Sequence, residues 1–173
     1  MNHSISPSEL RDRIESRDFN RIASYLRTCE SDQRMAFLEA CIKGDGPVVR
    51  MALATVNSAK ESSKLFRLGL ESIQTPDSTT TKLWVEFGVK KLGARKAIRA
   101  IRDFLETKPY VVDMAVYWLP SMIAKDAPGW MELKELSVAA TQAGAIKPSM
   151  TTTTPDGKVL FHDCYSDYQA PNT

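Results

Sequence analysis

Two six-residue stretches echo each other 63 positions apart: VVRMAL at 48–53 and VVDMAV at 111–116 share Val, Val, Met and Ala in the same places. The segments before them match in apolar pattern at the same offset, Met35 with Ile98, Leu38 with Ile101, Cys41 with Phe104 and Ile42 with Leu105. An echo over that distance points to a fold built by repetition. Half of it, about 31 residues, is the length of two short helices with their turns.

The local patterns agree. Nearly every segment before residue 146 has apolar residues at helical rather than strand spacing, and helix punctuation recurs at short intervals. Start signals are Ser6-Pro7 with Glu9 at capping-box spacing, Asp18, Ser31, Asp45 before Pro47, and Asp126 before Pro128; stop signals are Gly44, Gly93 and Gly144. These predict helices near 7–16, 18–29, 32–43, 46–57, 60–73, 78–92, 94–106, 109–123 and 129–143. Connections this short turn each helix back on its neighbour and give a chain of helical hairpins.

Over roughly residues 18–143 the chain resembles a short HEAT-like α-helical repeat. That resemblance implies an all-α fold, a right-handed stack of antiparallel helical hairpins forming an α-solenoid, in which each hairpin buries its apolar face on the next. The C-terminal end changes character: TTTTPDGKVLFHDC sets a Pro-Asp-Gly turn between a Thr run and an apolar run, the pattern of a short β-hairpin or an extended tail. The expected organisation is a helical repeat domain over 1–147 and a C-terminal hairpin or tail over 148–173.

Composition narrows the function classes. A 173-residue chain can bury one sizeable core, and 43% hydrophobic with 25% charged residues is ordinary globular usage. The first apolar residues are interrupted by Glu9, Arg11, Asp12 and Arg13, which argues against a secretory signal. No uncharged run is longer than Met114 to Ala124, which is broken by Pro120 and is too short to span a bilayer. The expectation is a cytoplasmic protein without a membrane partner. Cys29, Cys41 and Cys164 have no Cys-x-x-Cys spacing, so no disulfide framework or zinc site is indicated.

No catalytic constellation stands out. His3 and His162 lie near opposite ends, and neither a His-Glu-x-x-His helix nor a glycine-rich phosphate loop is present. His162-Asp163-Cys164 is the one local oddity, read as part of the hairpin rather than as a nucleophilic pair. Catalytic residues, metal and cofactors are therefore expected to be none. Trp84, Trp118 and Trp130 fall in apolar helical patterns or at a helix start and are expected to pack in the core.

The net charge of +2 conceals blocks. Residues 1–81 carry 11 basic and 11 acidic side chains, 82–102 carry 7 and 1, and 103–173 carry 5 and 9. Within VKKLGARKAIRAIRDFLE, Lys90, Lys91, Arg95, Lys96, Arg99 and Arg102 all precede Asp103. Arg95, Arg99 and Arg102 share one side of a helix whose other side is Ala97, Ile98, Ile101, Phe104 and Leu105. A solvated outer face would look similar, but such faces usually mix signs.

Lys90, Lys91, Arg95, Arg99 and Arg102 are therefore the candidate contacts for an acidic protein surface or a nucleic acid. No aromatic residue is interleaved with them, which argues against stacking on single-stranded bases. A second candidate surface is the stripe Tyr110, Asp113 and Tyr117 on the following helix, because aromatic groups with polar tips are common interface anchors.

The expected function is a non-enzymatic, protein-binding helical-repeat scaffold or adaptor whose partner is another protein with an acidic surface. The alternative is sequence-independent nucleic-acid binding through the basic stripe. A third reading, a HEAT-like DNA glycosylase-type enzyme, would need a tryptophan, arginine and aspartate lining a concave basic groove, and no such trio could be placed on these positions.

Overall fold

Helix caps and proline positions set where the chain turns. A computed structural model describes residues 6, 8–9, 12–13, 19–44, 46–145, 151–153 and 159–161. Among the described residues up to 145 the regular elements are all helices: α1 (Phe19–Thr28), α2 (Ser31–Ile42), α3 (Gly46–Thr55), α4 (Ala59–Ser72), α5 (Ser78–Leu92), α6 (Ala94–Arg102), α7 (Pro109–Trp118), a 3₁₀ turn (Leu119–Ser121) and α8 (Trp130–Gln142). The capping box expected at Ser6 forms, with Ser6 N donating to Glu9 Oε2 at 2.8 Å and Glu9 N to Ser6 Oγ at 3.2 Å.

Two expected helices end early, each for a local reason. The helix expected over 94–106 stops at Arg102, and the next peptides bond three residues back, Phe104 N to Ile101 O and Leu105 N to Arg102 O. Pro109 follows at the first turn of α7, and the residue before a proline is driven out of the helical region, as Lys108 is at φ −142° and ψ 66°. The helix expected over 109–123 gives way at Leu119 to a 3₁₀ turn because Pro120 has no N–H to continue the α ladder.

The chain forms two compact units, residues 1–72 and 73–173. The expected domain boundary at 147/148 lies outside the described residues. In the first unit α2 packs on α3 and α4, and the core is built from Leu26, Phe37, Leu38, Cys41, Val48, Val49, Ala52, Leu53, Val56, Leu65, Phe66 and Leu70. Arg34 ties its helices together: the guanidinium donates to Leu26 O at 3.3 Å and Thr55 O at 3.0 Å and pairs with Glu61 at 3.2 Å. Cys41 is buried and its thiol pKa is pushed up to about 12 by loss of hydration, so it acts as a small hydrophobe; Cys29 is half-buried.

In the second unit α6 and α7 pack together, with α5 and α8 each contacting both. Asp77 starts α5 by accepting from the Thr79 and Thr80 amides at 2.9 and 3.2 Å and from Thr80 Oγ1 at 2.6 Å. Trp84, Ile98, Ile101, Val111, Leu119, Leu133 and Leu136 are buried here. Trp118, 8% exposed, donates Nε1 to Ser78 O at 3.1 Å and Ser78 Oγ at 3.0 Å, while Lys82 Nζ sits 4.5 Å from its ring centre. Farther on, the backbone of Thr151–Thr153 runs antiparallel to Val159–Phe161, with Thr152 opposite Leu160. The Pro-Asp-Gly turn and the His162-Asp163-Cys164 triplet lie outside the described residues.

Candidate binding groove between α6 and α8

Gly93 begins the site. It closes α5 at φ 81° and opens α6, so Lys90 and Lys91 sit in the last turn of α5 and the arginines follow at once. Basic residues in a last turn also complement the helix dipole, which is a structural reason for the lysines to be there. Along α6, Ala97, Ile98 and Ile101 are buried, whereas Arg95, Lys96, Arg99 and Arg102 are exposed. This is the two-sided helix expected from the wheel.

The wheel could not show what faces the arginines. Gly129, at φ 109°, stands just before α8, and a Cβ there would meet Ala94 Cβ at 2.6 Å. Only glycine combines that backbone angle with so close an approach. The first turn of α8 is thereby pressed against the start of α6, and Glu132 reaches Arg95, with Nε to Oε1 at 2.7 Å.

Glu132 is largely enclosed and Arg95 is 61% exposed, so the pair fixes one edge of the guanidinium while leaving much of it in water. Such a partly hydrated pair orients a side chain more than it stabilises the fold. The acidic partners that seemed missing from the basic stripe are therefore partly supplied by another helix.

Between the two helices lies a groove of about 330 Å³ lined by Arg95, Ile98, Arg99, Arg102, Met131, Glu132 and Glu135. Met131 is 61% exposed, a large apolar side chain left in solvent at this wall. Arg99 and Arg102 form no salt bridge among the described residues. Their guanidinium forks are planar, permanently charged and suited to two-point binding of a carboxylate or phosphate. The volume is at the lower end for ligand pockets, roughly 300–1,000 Å³, so it suits a few side chains better than a large cofactor.

The second candidate surface is engaged internally. Tyr110, Asp113 and Tyr117 are all half-buried rather than exposed. The Tyr110 hydroxyl donates to Ile73 O at 2.8 Å, and Lys108 Nζ donates to the same carbonyl at 2.8 Å. The Tyr117 ring stands edge-on to Trp118, centroids 5.0 Å apart at 87°.

Of the tryptophans, Trp84 and Trp118 are buried and Trp130 is half-buried. Among the described residues no group of three or more His, Cys, Asp and Glu side chains could hold a metal ion, and no helix is long and apolar enough to cross a membrane.

The residues that sequence reasoning missed are Met131, Glu132 and Glu135. Their signal was weak: an acidic first turn on α8 is ordinary helix chemistry and says nothing about which arginine it will face. Comparison with protein-family models, curated proteins and solved structures yields no match to this chain.

Proposed function

We propose that this chain is a non-enzymatic binding module that engages another protein through the α6–α8 groove, on a scaffold of stacked helical hairpins ending in a short β-hairpin. The observation that carries this reading is the mixed lining of the groove, where Arg99 and Arg102 stand beside an exposed Met131 and two glutamates. A phosphate backbone would gain nothing from Met131. A protein segment offers both charged and apolar side chains.

The pairing of Arg95 with Glu132 also weakens the nucleic-acid alternative, since one of the five candidate phosphate contacts is already engaged. Tyr110, Asp113 and Tyr117 contribute less in this reading because the Tyr110 hydroxyl holds Ile73. Repetition is supported by burial: Leu38 and Ile101, Cys41 and Phe104, Val48 and Val111, Val49 and Val112, Ala52 and Ala115, Leu53 and Val116, and Val56 and Leu119 are buried alike at the 63-residue offset.

The test is a photo-cross-linking amino acid placed at Met131, with the exposed Lys60 as the control position, in lysate of the source cells. The expected result is a discrete, nuclease-resistant protein adduct from position 131 that position 60 does not give. Adducts made of nucleic acid, or the same adducts from both positions, would refute the reading. Duplex binding through five phosphates would also show itself as a log–log salt slope of about −4 to −5.

A further inference from the structure

Resting on that reading, we infer that the groove recognises a short acidic segment of its partner, an extended stretch with two carboxylates and one aliphatic side chain on the same face. Charge complementarity is the main argument. Arg95 is held by Glu132, so the groove presents Arg99 and Arg102 as its anion-binding pair. They are three residues apart on one helix, which puts them side by side on one face.

Alternate residues of an extended chain point the same way and lie roughly 6.5–7 Å apart, a spacing two neighbouring long arginines can meet. Met131 supplies the remaining contact. It is exposed, unbranched and polarisable, and it lines the same groove as the arginines, so an aliphatic side chain entering there can bury itself against the thioether.

Glu135, with the Arg95-bound Glu132 beside it, sets the limit on charge. Acidic side chains in the lining make the groove unattractive to a continuous run of phosphates or carboxylates, and they favour a segment whose negative charge is limited to the two carboxylates that Arg99 and Arg102 can meet. The groove is thus selective for a pattern rather than for negative charge as such.

The experiment uses the full chain and fluorescein-labelled ten-residue peptides, read by anisotropy at low and near-physiological salt. The first peptide carries Leu-Ser-Glu-Ser-Glu in a Gly/Ser background; the second has Gln for both Glu, the third Ser for Leu, and a labelled DNA duplex is the fourth probe. The inference expects the first peptide to bind at least tenfold more tightly than the second and severalfold more tightly than the third. It also expects that preference to vanish in Arg99→Gln/Arg102→Gln, which introduces no new repulsion, and binding to weaken severalfold in Met131→Ser, with unchanged melting curves for both.

Equal binding of the Glu and Gln peptides, lost in Met131→Ser, would overturn the acidic specificity and leave the protein-binding reading standing. Tighter binding of the duplex than of any peptide would overturn both. Absence of binding by every probe, or binding that the arginine variant does not change, overturns the inference, whereas a protein adduct from position 131 would still support a protein partner of other chemistry.

Discussion

Replacing Gly129 by alanine tests the geometry on which the groove depends. Two penalties combine there. The backbone at φ 109° is a conformation side-chain-bearing residues rarely adopt, which costs about 1–3 kcal/mol, and the new methyl would lie 2.6 Å from Ala94 Cβ, an overlap worth about another 1–3 kcal/mol. The expected loss is about 2–6 kcal/mol in all.

Gly93 offers a case of strain without overlap. It also has a positive φ, 81°, but a Cβ there meets nothing within 4 Å, so Gly93→Ala should cost only the strain, about 1–3 kcal/mol. The overlap can then be relieved from the other side. Ala94→Gly combined with Gly129→Ala removes the 2.6 Å contact and should recover about 1–2 kcal/mol of coupling energy.

The assay is chemical denaturation followed by tryptophan fluorescence, which reports on residues 73–173 because all three tryptophans lie there. If Ala94→Gly does not rescue Gly129→Ala, α8 is not pressed on α6 as described. The placing of Glu132 against Arg95 would then need another explanation.

Three further outcomes follow from named contacts. Trp118→Ala should lower stability by about 3–5 kcal/mol in denaturant titration, since it empties a buried site and leaves the Ser78 acceptors unmatched. Arg34→Ala should cost about 3–5 kcal/mol, because Glu61 and two backbone carbonyls lose their shared donor, whereas Arg34→Met with Glu61→Leu should cost clearly less. Asp77→Ala should cost about 1 kcal/mol through loss of the α5 cap. Bonds from the Thr80 hydroxyl, then the Thr80 amide, hold the Asp77 carboxyl below the usual range, with the Thr79 amide a smaller contributor. A lowered folded-state pKa means its contribution is full above about pH 4 and fades as pH falls through the folded value. Asp77→Asn, which keeps an acceptor but no titrating group, should flatten that part of the acid-unfolding curve.

Helices were legible in the sequence because their causes are local. Apolar spacing, Ser6 with Glu9, Gly93 and Pro109 act within a few residues, so expected and observed boundaries agree closely for most elements. The same holds for the two-sided character of α6, where Ile98 and Ile101 are buried and Arg99 and Arg102 exposed. It also holds for the burial of Trp118, expected from its place in an apolar helical pattern.

The pairings between helices were not legible, because helical period says which face is apolar and not which neighbour covers it. Tyr110 read as an exposed anchor on the wheel, yet its hydroxyl bonds a carbonyl 37 residues away. The stripe of Arg95, Arg99 and Arg102 read as free of acid, yet α8 brings Glu132 to Arg95 and leaves Arg99 and Arg102 lining a groove beside Met131. Local sequence therefore determined the elements and their faces. Tertiary packing alone decided which charges are held and which remain available, since contact between distant segments depends on close approaches such as Gly129 on Ala94 that no short window of sequence encodes.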